Sequence, residues 1–247
     1  MPKLDILYED NHLLVVNKPA GIATMGAEPG AITMRDMAAD YLKHKFNKPG
    51  NVYVGIVSRL DLMTSGVLVL SRTSKAAARF SDQFSGRGSF PSRKLYLAAV
   101  QGHPRPSKGE WNDLIYKDDT AHRMRVSKHQ STETREAKLR YLTVNDTQTG
   151  SLLAIELLTG RKHQIRVQAA ERGHAILGDR KYGSRDSFSA GIALHSWHLA
   201  LQHPTKRNPM VFQASPPKSW RQASLPDIGP QRESLRQHFN FPTDPSP

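Results

Sequence analysis

Three side chains in this sequence have the types and settings that chemistry asks for. Asp61 follows an arginine by two residues in Ser58-Arg59-Leu60-Asp61. Tyr96 follows a lysine by two in Lys94-Leu95-Tyr96, and Arg166 falls among the apolar residues of a helical stretch. A positioned carboxylate can serve as nucleophile or base, and a tyrosine offers a ring and a phenol. An arginine on an apolar face either snorkels or is buried, and a buried one needs a carboxylate, because an unpaired interior charge costs several kcal/mol. Asp61 is the candidate partner on chemistry. Taken alone, Arg-x-Asp before Thr-Ser-Gly is also ordinary turn chemistry with an exposed ion pair, and Tyr96 an ordinary strand aromatic.

The elements around these residues decide whether they are held. A β-branched run from Val52 to Val57 leads into the Asp61 turn, and an unbroken apolar run from Gly66 to Leu70 leads out. Short apolar runs bounded by turn residues predict buried strands, so Asp61 should project from a rigid support. Lys94 to Val100 predicts a strand with Lys94 and Tyr96 on one face. Arg161 to Arg172 predicts a helix ended by Gly173, with Gln164, Gln168, Glu171 and Arg172 on a polar face and Ile165, Val167, Ala169 and Ala170 opposite. Before the Asp61 turn, Leu4 to Asn17 predicts a strand pair that Lys18-Pro19-Ala20-Gly21 breaks. Thr33 to Phe46 predicts a helix opened by a Thr33–Asp36 capping box. Ser74 should cap another helix, with Ala77, Phe80 and Phe84 inside. Ala137 to Val144, Ser151 to Leu158 and Ile192 to Gln202 predict further strands. From about Arg221 the chain is polar and Pro-rich, which predicts an extended or disordered tail.

Composition narrows the partners. The 247 residues can bury a sizeable core, and 35 Lys and Arg against 22 Asp and Glu give a net charge of +13. Such an excess points to a polyanion through counterion release and steering. No apolar run near 18 residues and no basic amphipathic helix occurs, which disfavours membrane. Cysteine is absent, excluding disulfides and thiolate metal sites and fitting a reducing compartment. Asp5, Glu9 and Asp10 near the start, with no long apolar segment, argue against a secretory signal. Asp118 to Glu133, with His122, Arg123, Arg125, Lys128 and His129, reads as a loop or hairpin that is either a solvated insertion or an RNA contact.

Four segments in order resemble the RluA-like family of RNA pseudouridine synthases. They are Ile6-Leu7-Tyr8-Glu9-Asp10 through Lys18-Pro19-Ala20-Gly21; Ser58-Arg59-Leu60-Asp61 through Thr64-Ser65-Gly66-Val67; Lys94-Leu95-Tyr96; and Thr159-Gly160-Arg161-Lys162-His163-Gln164-Ile165-Arg166-Val167 with Gly178-Asp179 and Tyr182-Gly183 beyond it. Ile192-Ala193-Leu194-His195 fits as well, so the resemblance spans roughly residues 4 to 220. Ser58 and Gln168 stand where the family usually or often has histidine. Since neither is the family's catalytic group, altered substrate contacts are the expectation.

The resemblance implies an α+β fold: a single catalytic domain over residues 1–220 with a central mixed, mainly antiparallel sheet flanked by helices, then a C-terminal tail over 221–247. It implies isomerisation of uridine to pseudouridine in ribosomal or transfer RNA by a cytoplasmic monomer, without cofactor or metal. With no further RNA-binding domain ahead of it, target choice should rest on this domain's own surface. Asp61 is the implied catalytic carboxylate, with Tyr96 stacking on the base and Arg166 countering desolvation of the carboxylate. Arg59, Lys94, Leu194 and His163 are the implied substrate contacts. Two other readings stay open on the residues: a non-catalytic RNA-binding or ribosome-associated protein, and a metal-dependent nuclease. The nuclease is weakened because no carboxylate cluster accompanies Asp61, and His195, His198 and His203 fit no common metal spacing.

Overall fold

In the computed structural model, which describes residues 3–242 other than 27, 190 and 224, strands outnumber helices. In chain order the elements are β1 (Ile6–Glu9), β2 (Leu13–Lys18), α1 (Met34–Lys45), β3 (Gly55–Ile56), β4 (Ser65–Ser71), α2 (Ser74–Ser85), β5 (Arg93–Gln101), β6 (Lys108–Asp118), β7 (Arg123–Ser127), β8 (Arg135–Asp146), β9 (Gly150–Leu157), α3 (Gln164–Glu171), β10 (Leu194–Gln202), β11 (Pro209–Gln213), α4 (Lys218–Gln222) and α5 (Arg232–His238). The fold is α+β and mainly antiparallel, as expected. The chain divides into two compact units, each made of separate segments. The first holds residues 1–92, 196–216 and 242–247, and the second holds 93–195 and 217–241.

In the first unit the strand order is β1-β2-β4-β10-β11, with β3 also on β4. β4 is buried along its whole length, which is why Val67 to Leu70 reads as a continuous apolar run rather than an alternating one. Gly66 follows from close packing: a Cβ there would lie 2.1 Å from the Ser196 carbonyl oxygen, and its φ is +115°. Leu13, Val15, Val67, Val69, Phe80, Leu199, Leu201 and Phe212 form the core of this unit. α1 has the expected capping box, with Asp36 reaching back to the Thr33 backbone N–H at 3.0 Å. α2 is capped one residue earlier than expected: the Thr73 hydroxyl accepts from the Ala76 N–H at 3.2 Å, and Ser74 is already helical. Its buried face is Ala76, Phe80 and Gln83, since the Gln83 amide exchanges two hydrogen bonds with the Gln202 backbone, both 2.8 Å.

In the second unit the order is β5-β9-β8-β6-β7. The basic stretch after Asp118 is a hairpin, β6 pairing with β7 from Leu114–Ser127 to Asp118–Arg123. α3 packs on this sheet through Val167, against Ile115 and Ala137. The helix starts at Gln164 rather than Arg161, and its expected polar face is partly interior. Gln164 and Gln168 are buried because each amide satisfies the backbone: Gln164 bonds the Lys138 carbonyl at 3.0 Å, and Gln168 bonds the Ala137 carbonyl at 3.0 Å and Asp113 at 2.7 Å.

The expectation of an extended or disordered segment after Arg221 is not met. α5 forms there, and Leu235, Phe239 and Phe241 are buried in the second unit. Arg93 ties the segment down, bonding the buried Glu156 carboxylate at 2.6 Å and the Phe239 carbonyl at 2.6 Å, with its guanidinium 5.2 Å from the centre of the Phe241 ring. Residues 243–247 of the expected tail lie outside the described residues.

Candidate active site

Asp61 is half-buried on a loop of the first unit whose backbone is hydrogen-bonded at nearly every residue. The Thr24 hydroxyl grips Leu60 at both ends, donating to its carbonyl at 2.9 Å and accepting from its N–H at 3.2 Å. The Leu62 carbonyl accepts from the Gly21 N–H at 2.9 Å, and the Thr64 N–H donates to the Asp61 carbonyl at 3.1 Å. Lys18, fully buried, closes the arrangement. Its Nζ donates to the carbonyls of Pro19 at 2.8 Å, Leu62 at 3.1 Å and Thr64 at 2.8 Å. Three carbonyl acceptors match the three N–H groups that only an ammonium has. Burial pushes the Lys18 pKa down to about 7, and the negative charge of Asp61 holds it up. Lys18 was legible in its Lys-Pro-Ala-Gly segment but not in its role. Arg59, on the same loop, is exposed.

Removing the Lys18 ammonium should therefore loosen the Asp61 loop. Lys18→Met leaves buried carbonyls without a donor, at roughly 1–3 kcal/mol each, so urea denaturation should show a loss of about 3 kcal/mol. The pH dependence carries a definite sign. The folded pKa near 7 lies below the ordinary 10.5, so the unfolded chain binds more protons between those values. The advantage of wild type over Lys18→Met should therefore grow as pH rises from 7 towards 10.5 and be smallest below 7. An advantage that shrinks over that window would contradict the burial of a titrating amine.

The remaining candidates belong to the second unit. Tyr96 and Lys94 lie on one face of β5, paired with Ile155 and Leu157 of β9. Tyr96 is buried. Burial lowers the Lys94 pKa to about 8, and a Cβ at Gly160 would stand 3.4 Å from its Nζ, so the ammonium lies against the loop that leads to α3. Arg166, on α3, is buried as the apolar arc suggested. A carboxylate partner for it is Asp179, which it grips with two parallel bonds, Nε to Oδ2 at 2.7 Å and Nη2 to Oδ1 at 2.8 Å. The guanidinium stacks 5.0 Å from the centre of the Tyr182 ring. The Tyr182 hydroxyl pairs with His163 Nδ1 at 2.8 Å and accepts from the Met124 N–H of the β6–β7 hairpin at 3.0 Å. His163 holds a left-handed backbone, φ 52° and ψ 22°, at the start of α3, uncommon for a residue other than glycine. Asp179 and Tyr182 stood in the sequence as Gly178-Asp179 and Tyr182-Gly183, with nothing local to assign them to Arg166. Leu194 is buried at the first position of β10.

A carboxylate on a locked loop and an arginine held by a second carboxylate would suit several chemistries. Comparison with known proteins decides among them: residues 12–171 match the family model described as RNA pseudouridylate synthase. The chain belongs to this family. Its RluA-like character appears in its relatives. It is 33% identical over 217 residues to the dual-specificity RNA pseudouridine synthase RluA of Escherichia coli K12, covering 86% of this chain and 93% of that one. It is 34% identical over 213 residues to the RNA pseudouridine synthase YhcT of Bacillus subtilis, covering 86% and 68%. The ribosomal large subunit pseudouridine synthase D of Zymomonas mobilis is 33% identical over 229 residues, covering 87% and 70%. In fold it is similar to human RNA pseudouridylate synthase domain containing 4, at TM-score 0.73 and 24% identity over 90% of this chain and 94% of that one. The synthase is thus an isomerase of RNA, and the non-catalytic and nuclease readings give way.

Among the synthase's described residues no three His, Asp or Glu side chains converge as a metal site would require, and no helix is long and apolar enough to cross a membrane. His203 uses both ring nitrogens within the fold. Nε2 meets Asp10 at 2.7 Å, and Nδ1 accepts from the Lys206 N–H at 2.9 Å.

Proposed function

We propose that the synthase isomerises uridine in structured ribosomal or transfer RNA with Asp61 as the catalytic carboxylate. The bond from ribose C1′ to ring N1 breaks, a bond from C1′ to ring C5 forms, the C5 hydrogen leaves as a proton and N1 gains one. Atoms and oxidation state balance without a co-reactant, so the reaction needs no cofactor; that the protein works as a monomer in the cytoplasm is part of the same proposal. The supporting observation is the Asp61 loop itself. Six hydrogen bonds hold its backbone from Leu60 to Thr64. A loop locked through its backbone fixes the direction of the side chain it carries, as a reacting group requires.

The other roles follow from chemistry. Tyr96 supplies a ring for the target base, worth roughly 1–3 kcal/mol, and Leu194 an apolar contact. Arg166 supplies the fixed positive charge that a catalytic carboxylate calls for. Arg59 holds phosphate or fills the space the base vacates, and Lys94 and His163 complete the substrate contacts. One relative is named for the large ribosomal subunit and another for dual specificity, which favours more than one structured RNA as substrate.

The test is tritium release from ribosomal and transfer RNA transcripts labelled at uridine C5. Wild type should release tritium with EDTA present and no added cofactor, leave RNA length unchanged and yield pseudouridine at a fixed position. Release that needs a metal, or shortened RNA, would overturn the reading.

A further inference from the structure

The loop that fixes Asp61 also turns two large apolar side chains to solvent. Leu62 is 50% exposed and Met63 39% exposed, immediately after the carboxylate. Met25, 42% exposed, follows Thr24, the residue whose hydroxyl bonds both ends of Leu60. Single exposed apolar residues are common on protein surfaces and mean little. Here, however, the backbone under them is immobilised. The Leu62 carbonyl accepts from both Lys18 Nζ and the Gly21 N–H, so its side chain is carried outward on a rigid support rather than on a mobile tip. Neither side chain is fully covered by the fold, so each leaves a large part of its apolar surface in water. Exposed Arg59 stands on the same loop, in a chain of net charge +13. Cation beside apolar projection is the chemistry of an unstacked nucleic acid: phosphate for the one, base faces for the other.

We propose that Leu62 and Met63 form an apolar wedge that packs against the base next to the target uridine once that uridine has left its stack. This rests on the proposed function. Extrusion opens a gap whose unstacked neighbour exposes an apolar face to water, at a few kcal/mol. A rigid apolar pair beside the reacting carboxylate covers that face and keeps the gap from closing. The contact is indifferent to phosphate, and this separates it from the rest of the interface.

The experiment compares wild type with Leu62→Ser/Met63→Ser on a stem–loop transcript carrying a uridine that wild type converts. The variant should bind about ten- to a hundredfold more weakly, the loss expected for one or two base contacts. The slope of log affinity against log salt should be unchanged, because no phosphate contact is removed. Replacing the base on either side of the target by an abasic residue should, at one of the two positions, make wild type and variant bind equally. Thermal unfolding of the variant should stay within a few degrees of wild type, since both side chains keep much of their surface in solvent. Unchanged affinity, or an equal loss from the double substitution on every abasic transcript, would overturn the wedge. So would a wild type that dimerises through this patch while the variant is monomeric with full RNA affinity. Absence of turnover by wild type on all transcripts removes the function itself; turnover by wild type with unchanged affinity of the variant removes only the wedge.

Discussion

Asp61→Asn is expected to lower turnover by at least about a thousandfold while leaving RNA affinity within about threefold of wild type. The amide copies the shape of the carboxylate but can neither attack carbon nor hold a proton near neutral pH. The loop should survive the change, because Thr24, Gly21, Lys18 and Thr64 bond backbone atoms of residues 60–64. Binding should survive because phosphate contacts, supplied by the excess of lysine and arginine, carry most of the affinity. A second readout reports on the charge alone. The negative charge of Asp61 raises the Lys18 pKa against the effect of burial, so Asp61→Asn should move that pKa below its value of about 7. Isotope-edited NMR of the lysine side chains would follow it. Tritium release at the wild-type rate would remove Asp61 from the chemistry, and an upward or absent shift of Lys18 would remove its charge from the electrostatics of the loop.

Much of this architecture was legible because local patterns and final environments agree. The continuous apolar run Val67 to Leu70 became the fully buried β4, and Thr33 with Asp36 became the cap of α1. Where they disagree, the reading failed for physical reasons. β6 carries Lys108, Glu110 and Asn112 on its outer side, and only Trp111 and Ile115 are deeply buried, too few to announce a strand. After Arg221 the polar and Pro-rich composition concealed Leu235, Phe239 and Phe241, and Arg93, which meets the Phe239 carbonyl and the Phe241 ring, lies far away in the chain. Gln164 and Gln168 look like a solvated face until backbone carbonyls of β8 are placed beside them. The grouping of distant segments was hidden for the same reason. Segment 196–216 belongs with residues 1–92, and no composition shift marks a pairing made between distant stretches. Among the candidate residues, Asp61, Tyr96 and Arg166 were named from residue type and motif order. Lys18 and Asp179 were not, because their work is to hold another group and their partners are distant in sequence or are backbone atoms.

That holding role sets the second large expectation, Arg166→Met. The guanidinium and Asp179 are both buried and joined by two bonds of 2.7 and 2.8 Å, so deleting one member strands the other inside the second unit. Breaking a buried pair costs about 3–5 kcal/mol, and urea unfolding should show a loss in that range. Stacking on Tyr182 is lost as well, and through it the support that ring gives to His163 and to the Met124 N–H of the hairpin. A fall in turnover by this variant alone would not separate catalysis from instability. Arg166→Met with Asp179→Leu does separate them, because replacing both charges by apolar groups of similar volume removes the stranded carboxylate. If Arg166 has the proposed catalytic role, the double variant should regain at least half of the lost stability, yet stay about a hundredfold or more below wild type in tritium release, since the guanidinium charge is gone. Recovery of both stability and turnover would reduce Arg166 to a structural member of its pair and leave the charge at Asp61 to be maintained by other means.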